Sequence, residues 1–290
     1  MRVVMVLRDE FKRSSWLFVI LLACFFLSAA DLLSVTSGTW KATVIGGDAS
    51  WYIYEGVYSN FIPFYLIAVV LLALCQSRKR TDDFWNSLPY TAGELYVFRL
   101  LYGALVILFI AVVQLGMTAV IVNKFGFFMK DFALLGISTE YIYRTGSLIV
   151  ALFGAYIIAT LVYKLVNNRF AASIMLFFLA LIPELLVAPC DWLGGIFLDG
   201  LEVAANIKYA AVFGIYIPYI VKNVYTVGVP VYAAVTVIVF LIGYYVSRRN
   251  TEKGNEGMFY NGIIKAVFIL LCLLFALNVV DTLFVQGGVM

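Results

Sequence analysis

The chain has 290 residues, of which 64% are hydrophobic and only 13% charged, with a formal net charge of +3. A soluble globular chain is about half apolar and about one quarter charged, so a soluble enzyme, a DNA-binding domain and a disordered protein are all excluded. The chain contains no histidine, which removes imidazole acid–base chemistry, Ser-His and Cys-His nucleophiles and histidine metal sites. The mean hydropathy of +0.99 comes from long apolar blocks, and a bilayer crossing takes a helix of about 20 such residues.

Residues 2–13 open the chain with an amphipathic pattern. At a helical period, Val3, Val4, Leu7 and Phe11 share one face, and Arg8, Asp9, Lys12 and Arg13 share the other. Such a segment suits an interfacial helix in the membrane plane, its basic face toward anionic headgroups. The plain alternative is a basic flank that only fixes topology. Ser28, Ala29 and Ala30 resemble a signal-peptide cleavage site, but the acidic Asp9 and Glu10 argue against a cleaved leader.

Seven apolar runs follow, at roughly 16–35, 57–75, 97–122, 146–163, 170–188, 229–246 and 263–283. They are continuous rather than alternating, so helices are expected and a β-barrel is not. Trp16, Trp51, Tyr52, Trp192, Tyr244 and Tyr245 gather near their ends, as aromatic rings do at headgroup level. With the N-terminus cytoplasmic, fourteen of the 20 basic residues fall in inside segments and six in outside ones. That bias follows the positive-inside rule. Cys24, Cys75, Cys190 and Cys272 are scattered, and they read as small packing residues rather than as a disulfide or metal set.

The stretch RKRTDDFWNSLPYTAGELYVFR, from Arg78 to Arg99, is the most informative segment between spans. Thr81 with Asp82 and Asp83 makes a good helix start, and Phe84, Trp85 and Leu88 supply apolar contacts. Pro89 breaks the helix. Thr91-Ala92-Gly93-Glu94 then fits a capping box that opens the helix of the third span. An exposed amphipathic helix here needs a partner surface, either the membrane interface or a soluble protein.

Polar groups inside the apolar runs are few. Gln114 in the third run and Asn278 in the seventh suit interhelical hydrogen bonds. Glu184 follows Pro183, about 21 Å along the fifth helix at 1.5 Å per residue. It is either a pathway contact or a carboxylate near the outer headgroups. The 189–228 segment is too apolar for a free loop and is expected to dip into the outer leaflet or pack on the bundle mouth. No Walker-type G-x-x-x-x-G-K-[ST] pattern is present. No internal repeat is evident, which argues against an inverted-repeat transporter.

Three features resemble the permease subunit of an ABC transporter of the type-2 exporter class, as found in Gram-positive bacteria. They are Leu7-Arg8-Asp9-Glu10-Phe11-Lys12-Arg13 before the first span, Leu88-Pro89-Tyr90-Thr91 with the following Glu94–Arg99, and the long apolar loop between spans five and six. The resemblance covers residues 1–250. It implies an all-α polytopic membrane protein with a six-helix permease-like core in 1–250, to which the apolar run in 251–290 adds a linker and an expected seventh transmembrane helix. It also implies that Thr81, Asp82, Asp83, Phe84, Trp85, Leu88 and Pro89 touch a cytoplasmic ABC ATPase subunit. Val4, Leu7, Arg8, Phe11 and Lys12 would form the flanking interfacial helix, and Glu184 and Gln114 would be candidate pathway or gate residues. A second permease copy or a sister permease would complete the pathway in a bacterial plasma membrane. ATP and magnesium would be held by the partner, with no cofactor, catalytic residue or metal on this chain and no nucleic acid. The seventh run departs from the six-span pattern. The competing class is a non-transport membrane protein, such as an immunity protein, a sensor or an assembly scaffold. A membrane enzyme is disfavoured by the missing histidine and the lack of clustered midplane acids.

Overall fold

The computed structural model describes residues 2–38, 64–76, 91–124, 137–166, 168–180, 228–249 and 262–281. They form seven helices, one on each apolar run. These are α1 (Arg2–Gly38), α2 (Phe64–Gln76), α3 (Ala92–Lys124), α4 (Ile137–Leu165), α5 (Arg169–Ala180), α6 (Gly228–Arg249) and α7 (Gly262–Asp281). Three contain a stretch long and apolar enough to cross a membrane: Val4–Ala30, Ala92–Met117 and Leu148–Leu165. The others carry shorter apolar stretches, Phe64–Gln76, Arg169–Leu179, Ala233–Arg248 and Ile264–Leu277. The chain is therefore an all-α candidate multi-pass membrane protein.

The helix starts follow local chemistry. At α3 the Thr91 backbone N–H donates to Glu94 Oε2 at 2.9 Å, and the Glu94 N–H donates to Thr91 Oγ1 at 3.2 Å. This is the expected capping box, which satisfies two otherwise orphan donors. At α5, Asn168 Oδ1 accepts from the N–H groups of Phe170 and Ala171, at 2.9 and 3.4 Å. At α6, Pro230 lies in the first turn, where a missing N–H costs nothing.

α1 differs from the expectation of a separate in-plane segment. Its 37 residues form one unbroken helix, about 55 Å long at 1.5 Å per residue. No Pro or Gly interrupts Arg2–Ser37, so nothing in the backbone forces a break before the first span. Val4 and Phe11 are exposed, as an apolar face toward lipid requires. Val6 and Glu10, off that face, are the buried positions.

Paired contacts give the helix directions. Ser14 meets Tyr102 and Ser28 meets Gln114, so α1 and α3 run parallel. Tyr65 meets Gln114 and Gln76 meets the Arg99 carbonyl, so α2 is antiparallel to α3. Tyr156 also reaches the Arg99 carbonyl, and Lys164 meets Ser247 near the C-terminal ends of α4 and α6. The start of α1, the end of α2, the start of α3 and the ends of α4 and α6 thus share one end of the bundle. The short link through Asn168 brings the start of α5 to the same end.

α4 is the central helix. Buried residues make up 67% of its apolar window, against 33% for α1. Ala151, Ala155 and Ala159 recur every fourth residue and are all buried, a small-residue stripe that lets neighbouring backbones approach. α3, α5 and α6 pack against it directly, α1 packs on α3, and Leu17, Leu21 and Phe25 of α1, Tyr65 and Leu72 of α2, and Ile107 and Ile110 of α3 belong to the same buried core. Outward faces remain apolar, as with Phe26, Val112, Leu241 and Leu273. Apolar exposure on this scale fits a lipid environment.

Candidate functional site

Polar side chains concentrate at the shared end of the bundle, and they tie five helices together. The geometry begins with the amphipathic break in α1. Glu10 is buried, and its Oε1 lies 3.4 Å from Arg99 Nε of α3. One turn further on, the Ser14 hydroxyl donates to the Glu10 carbonyl at 2.8 Å and lies 2.5 Å from the Tyr102 hydroxyl. Asp9 pairs with Arg13 on the same helix at 2.6 Å. Two acids, Asp9 and Glu10, face two bases, Arg13 and Arg99, and this pairing limits the cost of holding four ionisable groups where α1 meets α3.

The second half of the cluster joins α2, α3 and α4. Tyr156 is fully buried. Its hydroxyl lies 2.5 Å from Gln76 Oε1 and 2.8 Å from the Arg99 carbonyl oxygen, its single proton serving two acceptors. The Gln76 amide also donates to the Arg99 carbonyl, at 3.4 Å. A carbonyl one turn or more inside a helix already accepts from the residue four positions on. Its second lone pair is what Tyr156 and Gln76 use.

The third part joins α4 to α6. The Lys164 ammonium donates to Ser247 Oγ at 2.5 Å, and the Ser247 hydroxyl donates to the Gly243 carbonyl at 2.6 Å. The same ammonium lies 4.8 Å from the centroid of the Tyr96 ring. A cation over an aromatic face gains electrostatic attraction. Tyr96 also stacks on Phe240, with ring centroids 6.2 Å apart. α3 is thereby wedged between α1, α4 and α6 at its first two turns.

These contacts hold α1, α2, α3, α4 and α6 in alignment at one end of the bundle. The cluster is a set of ion pairs and hydrogen bonds among ions, hydroxyls and amides of five helices. Gln76, the last residue of α2, is tied to α3 and α4, and Thr91, the next described residue, caps α3.

The residues expected to face an ATPase, Thr81, Asp82, Asp83, Phe84, Trp85, Leu88 and Pro89, lie outside the described residues. So do Glu184, Cys190 and the 189–227 stretch, and nothing is described of the Asn278 side chain. Gln114 is an interhelical bridge. Its Oε1 accepts from the Tyr65 hydroxyl at 2.6 Å, and its Nε2 donates to Ser28 Oγ at 3.1 Å. Val4, Leu7, Arg8, Phe11 and Lys12 all lie on α1, the first, second and fourth being apolar and Val4, Arg8, Phe11 and Lys12 exposed. The sequence reading missed Glu10, Ser14, Gln76, Tyr102 and Tyr156, and it took Arg99 only as a topological charge. The available signal was an acid, Glu10, one helical turn before Ser14 at the threshold of an apolar run.

No protein-family model matches the chain, and no curated protein and no solved structure is significantly similar to it.

Proposed function

We propose that the chain is the membrane-spanning subunit of an ATP-driven exporter of the type-2 ABC class, with a six-helix core in 1–250 and α7 as an added helix. It forms half of the translocation pathway, with a second copy or a sister permease as the other half. A separate ATPase subunit binds and hydrolyses ATP with magnesium. This chain supplies no catalytic group.

The observation that carries this reading is the anchoring of Gln76 and Thr91, which flank 77–90 in the sequence. A coupling segment works only if its ends move with the helices they join. Gln76 is tied to α3 and α4, and Thr91 and Glu94 close the first turn of α3. A push delivered at Gln76 or Thr91 therefore reaches α2, α3 and α4. Arg99 passes it on to α1 through Glu10.

The N-terminus is cytoplasmic in this proposal. The helix directions put residues 2–13, Lys164, Arg169 and Arg248 at the same end as Gln76 and Thr91, which flank Arg78, Lys79 and Arg80 in the sequence. That is the end the positive-inside rule assigns to the cytoplasm. It is also where a soluble ATPase has access.

The test is a mild-detergent pull-down from native cells beside the Asp83→Arg, Trp85→Ala variant. Copurification of a Walker-motif ATPase with the native chain, and its loss with the variant, is the expected result. A native chain that carries no ATPase under any gentle condition sinks the exporter reading and favours a membrane scaffold or sensor.

A further inference from the structure

A groove of about 360 Å³ opens between α1, α2 and α5 at the polar end of the bundle. Its walls are Trp16, Leu71, Leu74 and Phe170, with Arg169 and Ser173 beside them. Cys75 completes the lining, and among the described residues no acid lines it. Trp16 and Phe170 are both exposed on the bundle surface, so the groove faces the surroundings of the helices rather than the core.

Its layout is graded along the helix axes. Arg169 is the first residue of α5, and Ser173 lies one turn deeper, its hydroxyl 3.0 Å from the Tyr163 hydroxyl. Leu71 and Leu74 sit in the last two turns of α2. On α1, Lys12 is exposed one turn before Trp16, on the same helix face and nearer the end of the bundle. Cations therefore mark the end of the groove, an indole marks the boundary, and aliphatic side chains line the depth. Arginine suits a phosphate because its planar fork can donate two parallel hydrogen bonds. Tryptophan belongs at the headgroup level.

We propose that this groove binds one anionic phospholipid, its phosphate held by Arg169 with Lys12 nearby and one acyl chain laid along Leu71, Leu74 and Phe170. The cationic rim favours negative charge, and the apolar walls require a hydrocarbon chain. A free phosphate ester would satisfy only the rim, and a zwitterionic lipid would gain less from it. The site lies beside Cys75 and Gln76, so a bound lipid buttresses the end of α2 from which 77–90 departs. The proposal needs only that the chain resides in a membrane, and it stands or falls apart from the ATPase partner.

The test is native mass spectrometry of the full chain, delipidated by detergent exchange and then supplied with phosphatidylglycerol, phosphatidylcholine or glycerol phosphate. Phosphatidylglycerol adducts are expected to exceed phosphatidylcholine adducts by about fivefold, the factor that one basic residue near a membrane surface contributes. Glycerol phosphate should give none. Arg169→Gln should erase the preference, and Leu74→Trp should remove adducts of both lipids by filling the groove. Equal adducts on the native chain, or an intact preference in Arg169→Gln, overturns the proposal. A photoactivatable phosphatidylglycerol on the native chain gives a readout that does not depend on variant folding. Cross-links in the peptides holding Trp16 or Phe170 support the site, and cross-links confined elsewhere overturn it.

Discussion

The ring of Tyr156 occupies the space that a side chain on Gly103 would need. A methyl group built on Gly103 would collide with the Tyr156 ring and hydroxyl, closer than any real contact. The close approach lets the Tyr156 hydroxyl reach past α3 to the Arg99 carbonyl and to Gln76. Gly103 is a position where a missing side chain is structural, and the contact sets the spacing of α3 and α4.

Gly103→Ala should therefore destabilise the bundle by about 1–3 kcal/mol, the usual cost of overpacking a close-packed contact. Thermal unfolding in detergent, followed by fluorescence or by size-exclusion chromatography, reads this. A Tyr156→Ala change removes the obstacle together with its hydrogen bonds. The double variant should then be little worse than Tyr156→Ala alone. Simple additivity of the two losses would show that the helices are not in contact there.

The Glu10–Arg99 pair gives a second prediction. Both side chains are at most 9% exposed, and removing one partner of a buried pair costs about 3–5 kcal/mol. Glu10→Ala should approach the lower end of that range. Glu10→Arg combined with Arg99→Glu should recover part of the loss, whereas either change alone should not. Protease resistance of the purified chain measures all four proteins. A Glu10→Ala chain as resistant as the native one would contradict the pairing.

The capping box is testable more locally. Thr91→Ala removes the acceptor for the Glu94 N–H, which costs about 1 kcal/mol at a helix start. The effect should appear as faster hydrogen exchange at the first turn of α3, with the rest of α3 unchanged. If 77–90 couples to an ATPase, the same variant should lower transport-linked ATP hydrolysis more than it lowers the melting temperature. Equal exchange in variant and native chains would mean the box contributes nothing.

Much of the architecture was legible in the sequence because apolar length and local caps are local signals. All seven helices fall on the seven apolar runs, and Thr91 to Glu94 was readable as a cap from four residues. The polar cluster was not legible. In a soluble helix the buried face is the apolar one, so a hydrophobic stripe marks the core. In a membrane both lipid and protein interior are apolar, and polar side chains are what helices turn toward one another. Read by the soluble rule, Val4 and Phe11 are the packing face of α1. The structure buries Val6 and Glu10 and leaves Val4 and Phe11 outside. Partners such as Ser14 and Tyr102, 88 positions apart, leave no local trace either.

Gln114 separates a pathway role from a packing role. It bridges Ser28 of α1 and Tyr65 of α2 from its place on α3, and all three groups are buried. Interhelical hydrogen bonds in membranes average about 0.6 kcal/mol, because the separated helices find other partners. As a bridge, Gln114→Leu should lower stability only slightly, and Tyr65→Phe should add little to it because both changes delete the same bond. As a pathway residue, Gln114→Leu should change which compounds are carried, with Tyr65→Phe and Ser28→Ala leaving them unchanged. Measured side by side in vesicles, the bridge predicts a stability shift for Gln114→Leu at least as large as those of Tyr65→Phe and Ser28→Ala, each of which deletes one of its two bonds, and, if the chain transports, one transport profile for all three. A profile altered by Gln114→Leu alone would place the residue on the translocation route, since Ser28 and Tyr65 lose the same hydrogen bonds without facing it.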